Sequence, residues 1–366
     1  MSTHDAIVVG GGLVGSALAY GLQRQGISTL ILDEGDIAFR AARGNFGLVW
    51  VQGKGVDFSP YAHWTWKSAE SWADLNAEIQ DLTGDDIGYR RPGGIELCLD
   101  AQELSATQLE MRQLKSHAEH FEYEILDHQA LAEILPGLGP EVVGGCYSPA
   151  DGHVNPLYLL RGLHQCLVAR GGRIDSGGKV TAVSTKGSTF TVKTHRARYQ
   201  SARLIIAAGL GTEPLAAMLG MQVPLHPQRG QILVTERVRP FLTLPVSRVR
   251  QTTEGSVQLG VSNEDVGLNE ETTTPILSRI ARRAVRLFPH LQQARIVRAW
   301  GALRVMTPDT YPIYAQSQQH PGAFAAACHS GVTLAAAHVL HLAEGIAQGI
   351  LPEQLAPMSE QRFHHA

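Results

Sequence analysis

The sequence contains little cysteine and lacks any long apolar run. Its 366 residues include four cysteines, Cys98, Cys146, Cys166 and Cys328, and none belongs to a C-x-x-C pair. A zinc site or a thioredoxin-like redox motif is therefore not predicted. Scattered single cysteines in a chain of this size are typical of a reducing compartment, so we expect a cytoplasmic location. No stretch reaches the ~20 apolar residues of a membrane helix, and we expect no membrane span.

Charge is also scarce and forms no basic surface pattern. Charged residues make up 18% of the chain, and the formal net charge is −3. The nearest approach to a basic run is a set of four arginines between residues 279 and 286, whose spacing fits one exposed helix face. Nucleic-acid-binding proteins present a basic face, so no nucleic-acid partner is expected. The 16 histidines show no metal-ligand spacing such as H-E-x-x-H, and no metal site is predicted.

Hydrophobic patterning predicts buried strands that are linked to helices at the start, middle and end of the chain. Residues 6–9 and 29–32 predict short buried strands, and residues 13–24 between them predict a helix packed on a sheet. The remaining predicted elements are helices over 61–82, 102–120, 156–169 and 332–348, strands over 93–99, 204–208, 231–234, 257–261 and 323–327, a hairpin over 180–192, and irregular chain over 36–60.

A glycine motif joins the first predicted strand to the first predicted helix. Gly10, Gly12 and Gly15 match the pattern G-x-G-x-x-G between a strand and a helix, which is the context that a dinucleotide site requires. The first glycine permits the tight turn, the second lets a pyrophosphate approach the backbone, and the third lets helix and strand pack closely. The amino end of the helix then offers free N–H groups to the phosphates. Leu13 and Val14 belong to the same predicted site.

An acidic residue ends the second predicted strand. Asp33 is placed where a carboxylate accepts hydrogen bonds from ribose hydroxyls, and Glu34 is the alternative. With both strands, the helix and this acid present, the segment predicts a dinucleotide-binding unit. The fingerprint alone leaves open whether the dinucleotide is FAD or a nicotinamide cofactor.

Two later features favour FAD. The strand at 204–208 ends in Ala208-Gly209, which looks like a second flavoprotein signature. The segment Ser330-Gly331-Val332-Thr333 opens the final predicted helix, whose amino end would stabilise the negative charge of a reduced flavin. The alternative for this helix is a terminal packing role without contact to the cofactor.

Taken together, these motifs resemble the D-amino acid oxidase-like family of FAD-dependent oxidoreductases, which includes glycine oxidase and sarcosine oxidase. The resemblance covers essentially the whole chain, through the first fingerprint, Asp33 and the segments 204–209, 230–231, 307–309 and 329–331. Within the family, residues 44–55 and the segment from Arg250 look most like the β subunits of opine oxidases and D-hydroxyproline dehydrogenases.

The resemblance implies a fold class and a reaction. We expect an α/β protein in which a Rossmann-like FAD-binding domain is interleaved with a smaller α+β substrate domain built on an antiparallel or mixed sheet. The predicted FAD-binding domain spans 1–86, 150–222 and 302–366, and the substrate domain spans 87–149 and 223–301. The implied activity is oxidation of a C–N bond in an amino acid or N-alkyl amino acid, of the glycine, D-amino acid, D-hydroxyproline or opine type. The product is an imine that water hydrolyses.

Site residues are carried over from the family by position. Arg304 lies in a segment similar to the one whose arginine binds the substrate carboxylate in glycine oxidase, and a guanidinium holds a carboxylate in two parallel bonds. A structural salt bridge is the alternative role for Arg304. Val180 falls where a family residue meets the adenine through its backbone. The loop that lines the cofactor after the second strand corresponds here to Arg43, Gly44, Asn45 and Phe46.

The sequence also departs from its relatives. Monomeric sarcosine oxidase attaches its flavin to a cysteine near the segment that here reads Ala302-Leu303, so non-covalent FAD is expected. The substrate-covering tyrosines of glycine oxidase are not evident in the stretch 245–251. Arg248, Arg250 and Gln251 in that stretch either serve a second polar or carboxylate group or lie at the surface. His329 is expected near the flavin, without a general-base role.

Three alternative functions remain open from the sequence. A nicotinamide-dependent reductase shares the first fingerprint but gives no reason for the features at Ala208-Gly209 and Ser330-Gly331. An RNA-modifying relative would need a basic surface, which the composition disfavours. The third is a flavin subunit of a larger dehydrogenase that is either non-catalytic or dependent on partner subunits, and the segment 44–55 agrees with such a subunit. The chain has no iron–sulfur cysteine spacing, so any further redox centre would belong to another chain.

Overall fold

The amino-terminal segment folds into the β–α–β unit that its apolar pattern predicts. In the computed structural model, which describes residues 2–35 and 41–363, strand β1 (Ser2–Val9) leads into helix α1 (Leu13–Arg24) and strand β2 (Thr29–Asp33). β1 and β2 pair in parallel, with Ala6 opposite Thr29. Alternate residues of β1 enter two different hydrophobic clusters, so β1 is buried on both faces.

The other strands and helices follow in chain order. The strands are β3 (Leu48–Val49), β4 (Gly94–Cys98), β5 (Glu124–Asp127), β6 (Gly144–Ser148), β7 (Gly152–His153), β8 (Arg173–Ser176), β9 (Val180–Lys186), β10 (Thr189–Thr194), β11 (Arg198–Ile206), β12 (His226–Arg237), β13 (Val249–Gln251), β14 (Ser256–Leu259), β15 (Ile296–Met306), β16 (Ile313–Gln316) and β17 (Ala323–Ala327). The helices are α2 (Ser59–Thr83), α3 (Ala101–His117), α4 (His128–Ile134), α5 (Pro156–Ala169), α6 (Thr212–Ala217), α7 (Thr274–Leu287), α8 (Ala335–Ala337) and α9 (Ala343–Gln348).

The largest sheet of the described residues is mixed and has eight strands. Its strand order is β16-β17-β11-β1-β2-β8, and β10 and β9 extend it from β11. The pairs around β1 are parallel, whereas β16 lies antiparallel to β17. Helices α1 and α5 pack against each other, and buried residues of both belong to one cluster with residues of β1. This arrangement confirms the predicted α/β class with a Rossmann-like sheet.

Two further sheets of the described residues are antiparallel and have four and three strands. One has the order β13-β14-β12-β15, and the other has the order β4-β6-β5. The two are joined where Ile95 donates a backbone hydrogen bond to Pro245 (3.1 Å) and accepts one from Ser247 (3.0 Å). The predicted domain boundaries stay predictions, and the boundary placed before residue 302 falls inside β15. Among residues 2–35 and 41–363, no helix is long and apolar enough to cross a membrane.

The structure corrects two predictions of local secondary structure. The sequence predicts irregular chain over 36–60, but Ala41–Gly44 forms a 3-10 turn and β3 is regular; residues 36–40 lie outside the described residues. The last helical run begins at Ala335 instead of Val332. Ser68 of α2 explains this shift, because its Oγ donates to the Thr333 carbonyl (2.7 Å) and accepts from the Ala337 N–H (3.1 Å). The side chain thus occupies the place of a regular helical hydrogen bond.

Candidate active site

The glycine turn after β1 is shaped by close backbone contacts. Gly10 has φ +109°, and a Cβ atom there would lie 2.3 Å from the carbonyl oxygen of Ala207. A Cβ at Gly15 would lie 2.0 Å from the carbonyl oxygen of Gly10, so any side chain would push helix α1 off β1. A Cβ at Gly12 would meet no described atom within 4 Å, so the space above this residue is open. The turn therefore leaves room for a group to approach the backbone at Gly12, as a pyrophosphate must.

Asp33 is fixed at the carboxyl end of β2. Its Oδ2 accepts a hydrogen bond from the Gly11 N–H (2.7 Å), and its Oδ1 accepts one from the Gly35 N–H (2.8 Å). Glu34, the alternative acid, is half-buried and forms an ion pair with Lys179 at 3.1 Å. Asp33 is thus the acid that is tied directly to the glycine turn.

The glycine turn opens into a cavity of about 450 Å³, here named the long cleft. It runs past the carboxyl ends of β1, β2 and β11, the edge at which open α/β sheets bind ligands. The predicted cofactor residues that line it are Gly10, Gly12, Leu13, Val14, Asp33, Glu34, Asn45, Val180, Ala208, Gly209 and Gly331.

A second cavity of about 210 Å³, here named the inner cavity, meets the long cleft. Ala41, Asn45 and His329 line both cavities, so the two spaces adjoin. The inner cavity is also lined by the predicted residues Gly44, Phe46, Val332, Thr333 and Arg304. Arg43 and Gly15 are not among the described residues that line either cavity, and Gly15 instead packs α1 onto the turn.

Arg304 presents its guanidinium to the inner cavity from β15. Its Nη1 donates to the carbonyl oxygens of Ser262 (2.9 Å) and Arg229 (3.5 Å). Glu264 forms an ion pair with Arg229 at 2.7 Å. Within the part of the chain that the structure describes, no carboxylate lies within ion-pair distance of Arg304. Burial lowers the pKa of Arg304, and Glu264 opposes this shift. The salt-bridge alternative thus finds no partner among these residues.

The structure brings a second cation into the same cavity. Lys54 lies after β3, and its Nζ donates a hydrogen bond to the Ser330 hydroxyl at 3.1 Å. The Tyr61 hydroxyl donates to the same oxygen at 2.8 Å. Burial, and then the charge of Arg304, lower the pKa of Lys54 to about 8. The sequence assigns Lys54 no role, although this residue lies inside the resemblance segment 44–55.

His329 lies at the junction of the two cavities as a neutral ring. Burial and the charges of Lys54 and Arg304 lower its pKa well below the usual value. Its Nδ1 lies 3.3 Å from the Ser330 hydroxyl. His329 therefore adds no third positive charge to the inner cavity at neutral pH.

The other polar residues that the sequence singles out, Arg248, Arg250 and Gln251, do not line the inner cavity. Arg250 is buried and donates from Nε (3.1 Å) and Nη2 (2.7 Å) to Gln258 Oε1. The Oε1 of Gln251 accepts from the N–H of Phe241 at 2.9 Å. Both residues are neither exposed nor part of the inner cavity, so they hold the β13–β14 region together. Arg248 lines a third cavity beyond Trp50.

A cysteine also lines the long cleft. The expectation of non-covalent FAD rests on the segment 302–303 and leaves Cys328 aside. All four cysteines are free and buried, and burial raises the pKa of the Cys328 thiol to about 12. Thiolate is the nucleophilic form of cysteine, so Cys328 is unreactive as it stands.

Comparison with known proteins identifies the family. The model of the family described as "DAO: FAD dependent oxidoreductase" matches residues 5–344. The chain is 41% identical over 363 residues to an opine oxidase subunit of Rhizobium meliloti, covering 98% of this chain and 97% of that protein. The crystal structure of glycine oxidase from Geobacillus kaustophilus superposes with a TM-score of 0.90 at 22% identity, covering 99% of both chains. The family match confirms FAD over a nicotinamide cofactor, and the chain belongs to the DAO family of FAD-dependent oxidoreductases.

Proposed function

We propose that this enzyme oxidises the C–N bond of an amino acid or N-alkyl amino acid to an imine, which water then hydrolyses. The observation that carries the proposal is the position of Arg304, whose guanidinium faces the inner cavity without a carboxylate partner among the described residues. That cavity adjoins the long cleft, so a carboxylate held by Arg304 would place the rest of the substrate beside the cofactor. The likeness to an opine oxidase and to glycine oxidase supports this substrate class.

The glycine turn and Asp33 are assigned to the cofactor. Gly10, Gly12 and Gly15 shape the turn, the amino end of α1 would offer N–H groups to the pyrophosphate, and Asp33 would accept from the ribose hydroxyls. The further cofactor residues in this proposal are Leu13, Val14, Glu34, Arg43, Gly44, Asn45, Phe46, Val180, Ala208, Gly209, Gly331, Val332 and Thr333. Bound FAD supplies the two-electron acceptor, and the protein supplies orientation and electrostatics.

The residues of the inner cavity that are not assigned to the cofactor are assigned to the substrate, with Arg304 as the carboxylate anchor. Nη1 of Arg304 donates to the Ser262 carbonyl, which fixes the guanidinium at the wall of the cavity, and a guanidinium carries further donors that a carboxylate can use. Leu48 and Trp50 line the cavity with apolar surface, which excludes water and strengthens the contact between guanidinium and carboxylate. The ring of His329 is neutral, so the positive charge among the described residues that line this cavity comes from Arg304 and Lys54.

We also propose that the chain is the flavin-bearing subunit of a hetero-oligomeric dehydrogenase. The support is its 41% identity, over nearly the full length of both chains, to a protein named as a subunit of opine oxidase. In such an assembly a partner subunit would take electrons from the flavin. A cytoplasmic location is part of the same proposal, and the four free cysteines agree with a reducing compartment.

An anaerobic flavin-reduction screen tests the proposed reaction. The purified protein is mixed with glycine, N-methylglycine, D-amino acids, D-hydroxyproline and opines, and the loss of flavin absorbance is followed. Reduction by one of these classes, with formation of the corresponding oxo acid, is expected. A flavin that none of them reduces would remove the catalytic role and leave a purely structural flavin subunit.

A further inference from the structure

Lys54 is held at the inner cavity by a tightly constrained loop. Its N–H donates to the Val51 carbonyl at 3.0 Å, which closes a turn directly after β3. The glycines on either side, Gly53 and Gly55, have φ of +69° and +73°, a conformation that other residues rarely adopt. A Cβ at Gly55 would lie 2.4 Å from the Ala62 backbone nitrogen, so the loop packs directly on α2. The backbone therefore fixes where the Lys54 side chain enters the cavity.

The described hydrogen bonds satisfy only part of the donor capacity of the Lys54 ammonium group. An ammonium carries three donors, and the described hydrogen bonds account for one, to the Ser330 hydroxyl. Asp151, the acid whose charge acts on Lys54, already accepts from the Val51 N–H and from the Gln52 side chain. Throughout residues 2–35 and 41–363, no carboxylate lies within 4.0 Å of the Lys54 nitrogen.

Lys54 and Arg304 are anchored to different walls of the cavity. The Lys54 nitrogen is tied to Ser330, at the turn before α8, whereas Arg304 is tied to Ser262 and Arg229 beside β12. No aspartate or glutamate is among the described residues that line this cavity. Two cations kept in a partly desolvated space without a counter-charge are costly, and anionic groups of a ligand remove that cost.

We propose that Lys54 and Arg304 form a two-cation subsite that holds two carboxylates of one substrate, so that the substrate class is a dicarboxylic amine. This inference rests on the proposed function for its reaction, but its binding prediction stands without turnover. Arg304 takes the carboxylate next to the oxidised carbon, and Lys54 takes the second carboxylate on the side chain or on the N-alkyl arm. Lys54 then favours amines that carry two carboxylates over amines that carry one.

The binding test compares two ligands of similar chain length that are not substrates. Glutarate and butyrate are titrated into the FAD-bound protein, and changes in the flavin spectrum or in tryptophan fluorescence give each Kd. Glutarate is expected to bind more tightly to the unaltered protein. Lys54→Met should weaken glutarate binding roughly 10- to 100-fold, as for loss of a charge-assisted hydrogen bond, and butyrate binding far less.

Two further variants make the result decisive. Lys54→Arg retains the charge and should retain most of the preference for glutarate, which separates loss of charge from damage to the fold. Lys186→Met removes an exposed lysine of β9 that lines neither cavity, and it should change neither Kd. Equal weakening of both ligands by Lys54→Met would mean one shared carboxylate and would overturn the two-carboxylate subsite, as would an unchanged preference for glutarate.

A turnover arm separates this inference from the proposed reaction. Flavin reduction by N-methylglycine and by N-(carboxymethyl)glycine is compared in the unaltered and Lys54→Met proteins. Selective loss for the dicarboxylate supports the subsite. A glutarate preference in a protein whose flavin no amine reduces would leave the subsite standing and remove the reaction. Flavin reduction without any preference for the second carboxylate would support the proposed reaction and overturn the two-carboxylate subsite.

Discussion

Gly230 of β12 lies directly against the guanidinium of Arg304 on the neighbouring strand β15. A Cβ at residue 230 would lie 2.6 Å from Nη2 and 2.8 Å from Cζ of Arg304. The strands are antiparallel, with Gly230 opposite Ala302 and Gln228 opposite Arg304. The absence of a side chain at Gly230 thus lets the guanidinium lie over β12 and donate to the Ser262 carbonyl.

Gly230→Ala is expected to displace Arg304 without unfolding the protein. The atoms that a methyl group would strike belong to the flexible end of a side chain, which moves at little cost. Substrate affinity should fall at least about 10-fold, because a carboxylate contact is sensitive to guanidinium geometry. Flavin content and Tm are measured on the same sample and should stay close to those of the parent protein. Unchanged affinity would show that the position of this guanidinium is irrelevant to binding.

Arg304→Ala tests the carboxylate role directly. The substrate concentration for half-maximal flavin reduction should rise at least about 100-fold, since removal of a charged hydrogen-bond partner costs about 3 kcal/mol. Flavin content should not change, because Arg304 is neither assigned to the cofactor nor among the described residues of the long cleft. For Arg304→Lys this substrate concentration should lie between those of the parent protein and Arg304→Ala, since lysine keeps the charge and loses the two parallel bonds. A variant with normal affinity and turnover would exclude Arg304 from the site.

FAD is expected to leave the denatured protein. No cysteine occupies the segment 302–303, and the buried Cys328 is a thiol at neutral pH because burial raises its pKa to about 12. Denaturation followed by filtration should place the yellow colour in the filtrate. Colour retained on the precipitate of the parent protein and lost from that of Cys328→Ser would instead identify a covalent link at Cys328.

Binding of dicarboxylates should depend on pH through Lys54. Burial first, and then Arg304, lower the pKa of this ammonium to about 8. Only the protonated form binds a carboxylate, and a bound carboxylate raises the pKa, so affinity is retained below about pH 8 and falls as the pH rises above it. The Kd of glutarate, measured from about pH 7 to about pH 9.5, should rise with pH.

The titratable groups near Lys54 do not themselves account for a rise in the glutarate Kd above pH 8. A guanidinium keeps its charge in this range, and burial raises the pKa of the Cys328 thiol to about 12. Burial raises the pKa of Asp151 to about 7, so its ionisation falls at the low end of the range and favours the ammonium. His329 is neutral throughout. Lys54→Arg should abolish the rise in Kd above pH 8, and persistence of the rise in that variant would point to another group.

The electron acceptor is expected to be a partner or a dye instead of oxygen. This follows from the proposal that the chain is the flavin subunit of a larger dehydrogenase, to which its likeness to an opine oxidase subunit points. Rates of dye reduction and of peroxide formation are compared on one sample of the isolated chain, and dye reduction should be much faster. Peroxide formation at the dye rate would place the protein with free-standing oxidases such as glycine oxidase.

The cofactor half of the molecule was predictable from sequence because its constraints are local. Gly10 requires glycine for its own φ of +109° and Gly15 for its contact with the Gly10 carbonyl, both within the turn, and Asp33 ends a buried strand whose pattern is plain. The pattern predicts helix α5 over residues 156–169, and it spans Pro156–Ala169, since Asn155 caps it through the N–H groups of Leu157 and Tyr158. Such signals depend on neighbours in sequence, so one sequence suffices to read them.

The substrate half was decided by tertiary structure. Arg250 and Arg304 lie on strands of the same sheet. Arg250 donates its hydrogen bonds to Gln258, whereas Arg304 lines the inner cavity. Lys54 lies 276 positions from Ser330, its hydrogen-bond partner, and no local pattern predicts that pairing. The start of the last helical run depends likewise on Ser68 from a distant helix. By itself the sequence determined the nucleotide fold and its glycine turn, whereas the pairing of two cations in one cavity required long-range packing, which sets distances that sequence spacing does not encode.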